Sequence, residues 1–273
     1  MKKIIFLIAL FFSLSIQAQT QKSFNISIGG SFPLGKFASF TYDPATMVSD
    51  AGWFDVDGEC GAASSGLNVG FELLIPLKNE RFSFTISADL NYNGIKKEAI
   101  NFGQDLATYL TEGLKDEWRG QGYVVTSASG TLEKSLSHFN VPLLAGLRYT
   151  LPLKDDISLF AEGGVGLNLR FISAFKTLCR INFNYRGSSQ TLVCKNSFGY
   201  EMKPTLAFRL GVGINVTKRL SLSAYYYYLG TGDVISTIGS EVSVAGSTQQ
   251  LKQKSANGTI TPMMAVVKLG FSF

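Results

Sequence analysis

The chain has 273 residues, 28 of them glycine, 21 phenylalanine and 11 tyrosine, and only 16% are charged, against about a quarter in an ordinary soluble domain. That composition argues against a soluble enzyme and suits an all-β protein with an apolar exterior. The formal net charge of +5 is a small, dispersed excess, so nucleic acid has no support as a partner, and one histidine with three cysteines argues against a metal site or a disulfide scaffold.

In chain order, Lys2 and Lys3 precede an apolar run from Ile4 to Ile16 and then Gln17-Ala18-Gln19. A basic n-region, a short apolar stretch and a small residue at the cut describe a secretory signal over residues 1–18, too short for a membrane-spanning helix. The mature chain, 19–273, opens with a period-two alternation, the signature of a strand. Phe24, Ile26, Ile28, Gly30, Phe32 and Leu34 share one face. A long connector over 35–66 follows, carrying Trp53, the acidic run Asp55-Val-Asp57-Gly-Glu59 and Cys60. The spacing of those carboxylates departs from a calcium loop, so a solvated acidic loop is the expectation.

Two more alternating segments start at Leu67 and Phe82, joined by a short turn at Lys78-Asn79-Glu80. Within the next connector, 94–138, Phe102, Leu106, Leu110, Leu114 and Trp118 recur every fourth residue, which predicts an amphipathic helix packed over its own protein. His138 ends that connector beside Ser135 and Ser137. Strands from Phe139 and Ile157 flank the turn Lys154-Asp155-Asp156. The third long connector, 172–203, holds Cys179 and Cys194, whose segments are expected to pair as a hairpin closed by a disulfide worth roughly 3 kcal/mol, with Cys60 as competitor. Strands from Pro204 and Leu220 flank Lys218-Arg219; the fourth connector, 230–262, leads to a last strand from Met263 to Phe273.

None of the eight apolar faces carries a charge. The opposite faces carry Glu72, Asp89, Arg148, Glu162, Arg170, Arg209 and Lys268 among small polar residues. A charge facing lipid at mid-bilayer costs roughly 2–4 kcal/mol, so the apolar faces fit a bilayer and the charges a narrow, paired lumen. Short turns alternate with long connectors, and the strand count must be even if both termini lie on the short-turn side. The expectation is an all-β, eight-stranded antiparallel up-and-down transmembrane barrel with short periplasmic turns and long extracellular loops. Aromatic residues near the strand ends, among them Tyr92, Phe139, Phe171, Tyr149 and Phe271, fit two interfacial girdles.

The C-terminal Lys268-Leu-Gly-Phe-Ser-Phe273, with Ile28-Gly-Gly-Ser-Phe-Pro-Leu-Gly35, Phe139-Asn-Val-Pro-Leu-Leu-Ala-Gly-Leu-Arg-Tyr149 and Phe160-Ala-Glu-Gly-Gly-Val-Gly166, resembles the small outer-membrane protein β-barrel family, OmpA-type and PorT-like. The resemblance implies a bacterial outer-membrane location, a lipid surround, and recognition of Phe273 by the barrel-assembly machinery during biogenesis. Cofactors and catalytic residues are not expected. The leading functional expectation is a structural or surface-interaction protein whose loops form a binding platform for an unknown extracellular ligand or protein, with Trp53 and Trp118 as contact candidates. Alternatives are a small-solute or ion channel through the charged lumen, a lipid hydrolase built on His138, and an accessory role in transport or secretion.

Overall fold

A computed structural model describes residues 22–39, 61–79, 81–154 and 156–273. The expected signal segment, Trp53, the acidic run and Cys60 lie outside the described residues.

The apolar-outside alternation produces a closed wall. Numbering elements in chain order, its strands are β1 (Ser23–Leu34), β2 (Ala63–Pro76), β3 (Phe82–Ile95), β5 (His138–Lys154), β6 (Ile157–Ile172), β9 (Thr205–Asn215), β10 (Leu220–Tyr228) and β13 (Met263–Ser272). They pair antiparallel in the order β1-β13-β10-β9-β6-β5-β3-β2, and β1 closes on β2. Directly opposed residues followed round the wall from Ser83 run through Arg148, Glu162, Gly211, Tyr225, Val266, Ser31 and Gly66. They return to β3 at Asn93, ten residues further along. That stagger tilts the strands by on the order of 40°.

The two faces of the wall are sorted as the bilayer demands. Leu67, Val165 and Leu206 point outward at 63%, 63% and 72% exposure, whereas Asn68, Asn91, Asn140 and Asn168 are completely buried in the lumen. Outward rings pair across strands near both rims, Tyr92 with Phe139 and Phe208 with Tyr228 at one, Phe82 with Tyr149 at the other.

Beyond the outer rim the long connectors hold the expected helix and the expected hairpin of the Cys179 and Cys194 segments, and three further strands besides. A short turn, α1 (Gly35–Ala38), follows β1; the predicted helix forms as α2 (Lys97–Gly120). The strands β4 (Val124–Lys134), β7 (Phe175–Tyr185), β8 (Ser188–Met202), β11 (Gly232–Val244) and β12 (Ser247–Ile260) make a second sheet in the order β12-β11-β8-β7-β4. Arg186-Gly187 and Ala245-Gly246 turn its two hairpins with consecutive positive φ angles, 49° and 79°, then 48° and 85°. That backbone matches the twist of paired strands. At ~1.5 Å per helical residue and ~3.3 Å per strand residue, α2 and β7 each span about 36 Å. The long connectors therefore build a folded head at one end of the barrel.

The head has its own core. Ile181, Phe183 and Leu192 are buried, with Leu114, Trp118, Tyr123, Val125, Ala128, Val242 and Val244 packed around them. α2 lies so close to β4 that a Cβ on Gly130 would sit 2.2 Å from the Ala107 carbonyl oxygen. Gln104 imitates a missing strand: its Nε2 donates to Gly130 O at 2.8 Å and its Oε1 accepts from Leu132 N at 3.0 Å, which caps the edge of β4. A second cluster joins head to barrel, uniting Ala99, Phe102 and Leu106 of α2 with Phe175 of β7 and with Phe37, Ile172, Leu229 and Ile260 at the barrel mouth.

Candidate functional site

The lumen is the first candidate. Period-two strands aim Glu72 (β2), Asp89 (β3), Arg148 (β5), Glu162 (β6), Arg209 (β9) and Lys268 (β13) at one another. Arg148 Nη2 donates to Glu72 Oε1 at 2.5 Å and to Glu162 Oε2 at 2.6 Å. Arg209 donates to Glu72 Oε2 at 2.7 Å and Asp89 Oδ2 at 3.1 Å, and also contacts Glu162. Lys268 pairs with Asp89. Three acids thus meet three bases. Two tyrosines complete the network: Tyr227 Oη donates to Asp89 Oδ2 at 2.7 Å, and Tyr225 Oη to Glu162 Oε2 at 3.4 Å. Arg148 stacks on Phe160 and Arg209 on Tyr225, at 4.1 and 4.7 Å from the ring centres. All six charged side chains are almost completely buried. Such a network crosses the lumen with mutually neutralising groups.

Arg170, grouped with these six by its alternation, works elsewhere. It sits nearer the mouth and donates to the carbonyl oxygens of Leu229, Gly230 and Ile260, at 3.3, 2.9 and 3.1 Å, and to Asn140 Oδ1 at 3.3 Å. It ties the start and end of the fourth connector to the barrel wall. Between Arg170 and the ionic layer run amide rungs, Asn68 to Asn91 at 2.8 Å and Asn168 to Asn140 at 3.1 Å.

His138 is fully buried at the mouth, with Nε2 2.8 Å from Gly61 O and its ring edge-on to Phe37. Ser137 Oγ donates to Ser173 Oγ at 3.0 Å. Among the described residues no serine hydroxyl is hydrogen-bonded to the imidazole.

The second candidate is the far end of the head. Trp118 at the end of α2 stacks within 4.7 Å of Tyr123 and 4.5 Å of Phe183, and Tyr123 lies 5.2 Å from Tyr185. The guanidinium of Arg186 stands over the Tyr185 ring at 5.2 Å. Trp118 and Tyr123 are half-buried, Tyr185 and Arg186 exposed. The sequence reading found Trp118 through its helical period. It missed Tyr123, Tyr185 and Arg186, which belong to a turn and a hairpin tip and carry no periodic signal.

Cys179 and Cys194 are direct cross-strand partners on β7 and β8, both present as buried thiols. Burial pushes both thiols up, Cys194 to about 11 with the neighbouring Cys179 adding to the rise. Phe273 lies at the rim opposite the head, exposed beside Phe271, and its N–H donates to Phe24 O at 2.9 Å.

The chain is similar to several solved proteins. They include the attachment invasion locus protein Ail of Yersinia pestis (12% identity, 93% of this chain and 100% of that chain, TM-score 0.36). OprG, an outer membrane protein of Pseudomonas aeruginosa, also matches (12%, 94% and 99%, 0.35), as does a major outer membrane protein of Thermus thermophilus (9%, 93% and 100%, 0.39). No curated protein matches the sequence. A model of the outer membrane protein beta-barrel domain matches residues 17–236. With a closed eight-stranded wall, an apolar outer face and that match, the protein is a bacterial outer-membrane barrel and belongs to the outer membrane protein beta-barrel domain family.

Proposed function

We propose that this outer-membrane protein is a surface-interaction protein, in which the barrel is an anchor and the extracellular head presents a recognition surface at its outermost end. The observation that carries this reading is the head's construction. Three long connectors are folded around a separate apolar core, and the far end of that core breaks the surface as Tyr123, Tyr185 and Arg186. Aromatic and arginine side chains concentrate binding energy at interfaces because they offer large, stiff contact area. A rigid display of this kind is what recognition needs from connectors on a scaffold.

The lumen supports the same reading from the other side. Eight strands leave an interior that side chains fill, and the ionic layer fills it. Neither catalysis nor solute passage has a part in this proposal. Phe273, exposed at the periplasmic rim, supports its expected role in recognition by the barrel-assembly machinery.

Cells displaying the wild-type protein, or a Tyr185→Ala/Arg186→Ala variant, test the proposal against a panel of immobilised glycans and cell-surface proteins. Binding by wild type that the double variant loses is the expected result. Undiminished binding by the variant would remove the outermost end from the account. Steady conductance of the purified protein in planar bilayers, with no binding on the panel, would favour the channel instead.

A further inference from the structure

The sheet of the head has two faces. One is covered by α2 and joins the core at the barrel mouth through Phe175, so it looks toward the barrel axis. The other looks away, over the surrounding membrane. On that outward face a single row of directly opposed residues crosses all five strands: Lys134, Lys176, Ser197, Gly239 and Lys252. Lys195 stands one step further out on β8, opposite Glu241.

This row costs the head stability as it stands. Lys134 and Lys176 are direct cross-strand neighbours, and like charges so placed repel. Lys195 pairs with Glu241 at 3.8 Å, and Gln250 also holds that carboxylate. Among the described residues, no carboxylate comes within ion-pair distance of Lys134, Lys176 or Lys252. Ser197 and Gly239 are small, so Lys176, Lys195 and Lys252 line a trough of about 650 Å³ rather than stand against a wall of side chains; Glu133 and Glu241 share its lining, and Lys134 faces Lys176 across the neighbouring strand. With strands ~4.8 Å apart, the Lys176 and Lys252 backbones are separated by about 14 Å. Four lysines there outnumber the two carboxylates, and that excess of positive charge matches a ligand with more than one anionic group.

Height identifies the ligand. Phe171 is the last outward-facing ring of β6, and Lys176 follows five residues later. At ~3.3 Å per residue and a tilt near 40°, the row stands roughly 12 Å above that ring. The polar zone of one leaflet is about 5–8 Å deep, and a lysine bends several ångströms toward an interface on its flexible stem. The ammonium groups thus reach the layer where lipid phosphates lie.

We propose that the Lys134–Lys176–Ser197–Gly239–Lys252 row is a binding site for phosphate-bearing lipid headgroups of the surrounding outer leaflet. It would hold the head in a fixed attitude to the membrane. The site is independent of the recognition surface proposed above, since it lies at the opposite end of the head.

The test uses the full-length mature protein in neutral detergent, with native mass spectrometry counting bound molecules of a bis-phosphorylated glucosamine lipid or of its dephosphorylated counterpart. Wild type is expected to retain the phosphorylated lipid, and a Lys134→Gln/Lys176→Gln/Lys252→Gln variant to retain it roughly tenfold less or worse. Retention of the dephosphorylated lipid should not change. Lys218→Gln, at a periplasmic turn, should behave as wild type, and the heat-dependent gel mobility of each variant shows whether it has folded. Equal retention by the folded triple variant and wild type would overturn the site. A row that instead binds inorganic pyrophosphate as well without lipid, and retains no phosphorylated lipid, would overturn the lipid assignment and leave a site for soluble polyanions.

Discussion

The barrel and the head are made by the same ribbons of chain, yet they are inside-out relative to each other. Along β6 the outward positions are Leu167, Leu169 and Phe171 and the inward ones Asn168 and Arg170; a few residues later, on β7, Phe175, Ile181 and Phe183 turn inward and Lys176 and Arg180 outward. Ser173 and Ala174, between the two strands, shift the parity. The solvent imposes this. In lipid a strand exposes its apolar face and must satisfy its ionic groups internally, whereas in water the same alternation is stable only with the opposite sign.

The comparison breaks most sharply at the lumen. Arg209→Met leaves Glu72, Asp89 and Glu162 facing only Arg148 and Lys268, and an uncompensated buried charge costs about 3–5 kcal/mol. The urea midpoint of the folded, fast-migrating gel form should fall accordingly. In the head the equivalent wound is apolar. Phe183→Ala removes the ring that Trp118 and Tyr123 pack on, at a cost of about 3–5 kcal/mol. Because the barrel does not depend on that ring, limited proteolysis should nick the head while the gel mobility of the barrel core stays unchanged.

Cys179 and Cys194 sharpen the contrast further. We expect the exported chain to carry the bridge that their register allows, visible as a linked pair in non-reducing peptide mapping. Its reduction should cost the head roughly 3 kcal/mol. In the reduced, folded protein burial raises Cys194 and keeps it a neutral thiol at pH 7–8, so iodoacetamide should alkylate it far more slowly there than after unfolding in urea at the same pH. The smallest effect belongs to the sheet edge. Gln104→Ala frees Gly130 O and Leu132 N and should cost about 1 kcal/mol, read as faster amide exchange along β4 alone.

What the sequence made legible follows the same division. The eight barrel strands were written in their alternation, since lipid forbids a charge on the outer face; the expected start at Leu67 merely extends back to Ala63. α2 was legible from its four-residue period. Of the head sheet only the β7–β8 hairpin was, through its two cysteine segments; β12 offers little apolar beyond Leu251 and Ile260, and β4 and β11 mix serine, threonine and glycine on both faces. Such strands are placed by backbone pairing with distant partners, as β8 pairs with β11, and a single-chain pattern does not carry that information. In the lumen, alternation placed six of seven charges in one network. Arg170 shares their face but meets connector carbonyls that the sequence reading had no means of locating.

The switch in facing at the outer rim is tested most directly by a spin-label scan in a cysteine-free background. Single cysteines would replace Leu167, Phe171, Lys176 and Arg180 in the bilayer-reconstituted protein. Labels at 167 and 171 should relax with dissolved oxygen, which concentrates in lipid, and those at 176 and 180 with a water-soluble nickel chelate. Nickel access at 167 comparable to that at 180 would contradict a wall bathed in hydrocarbon, and the architecture argued from it.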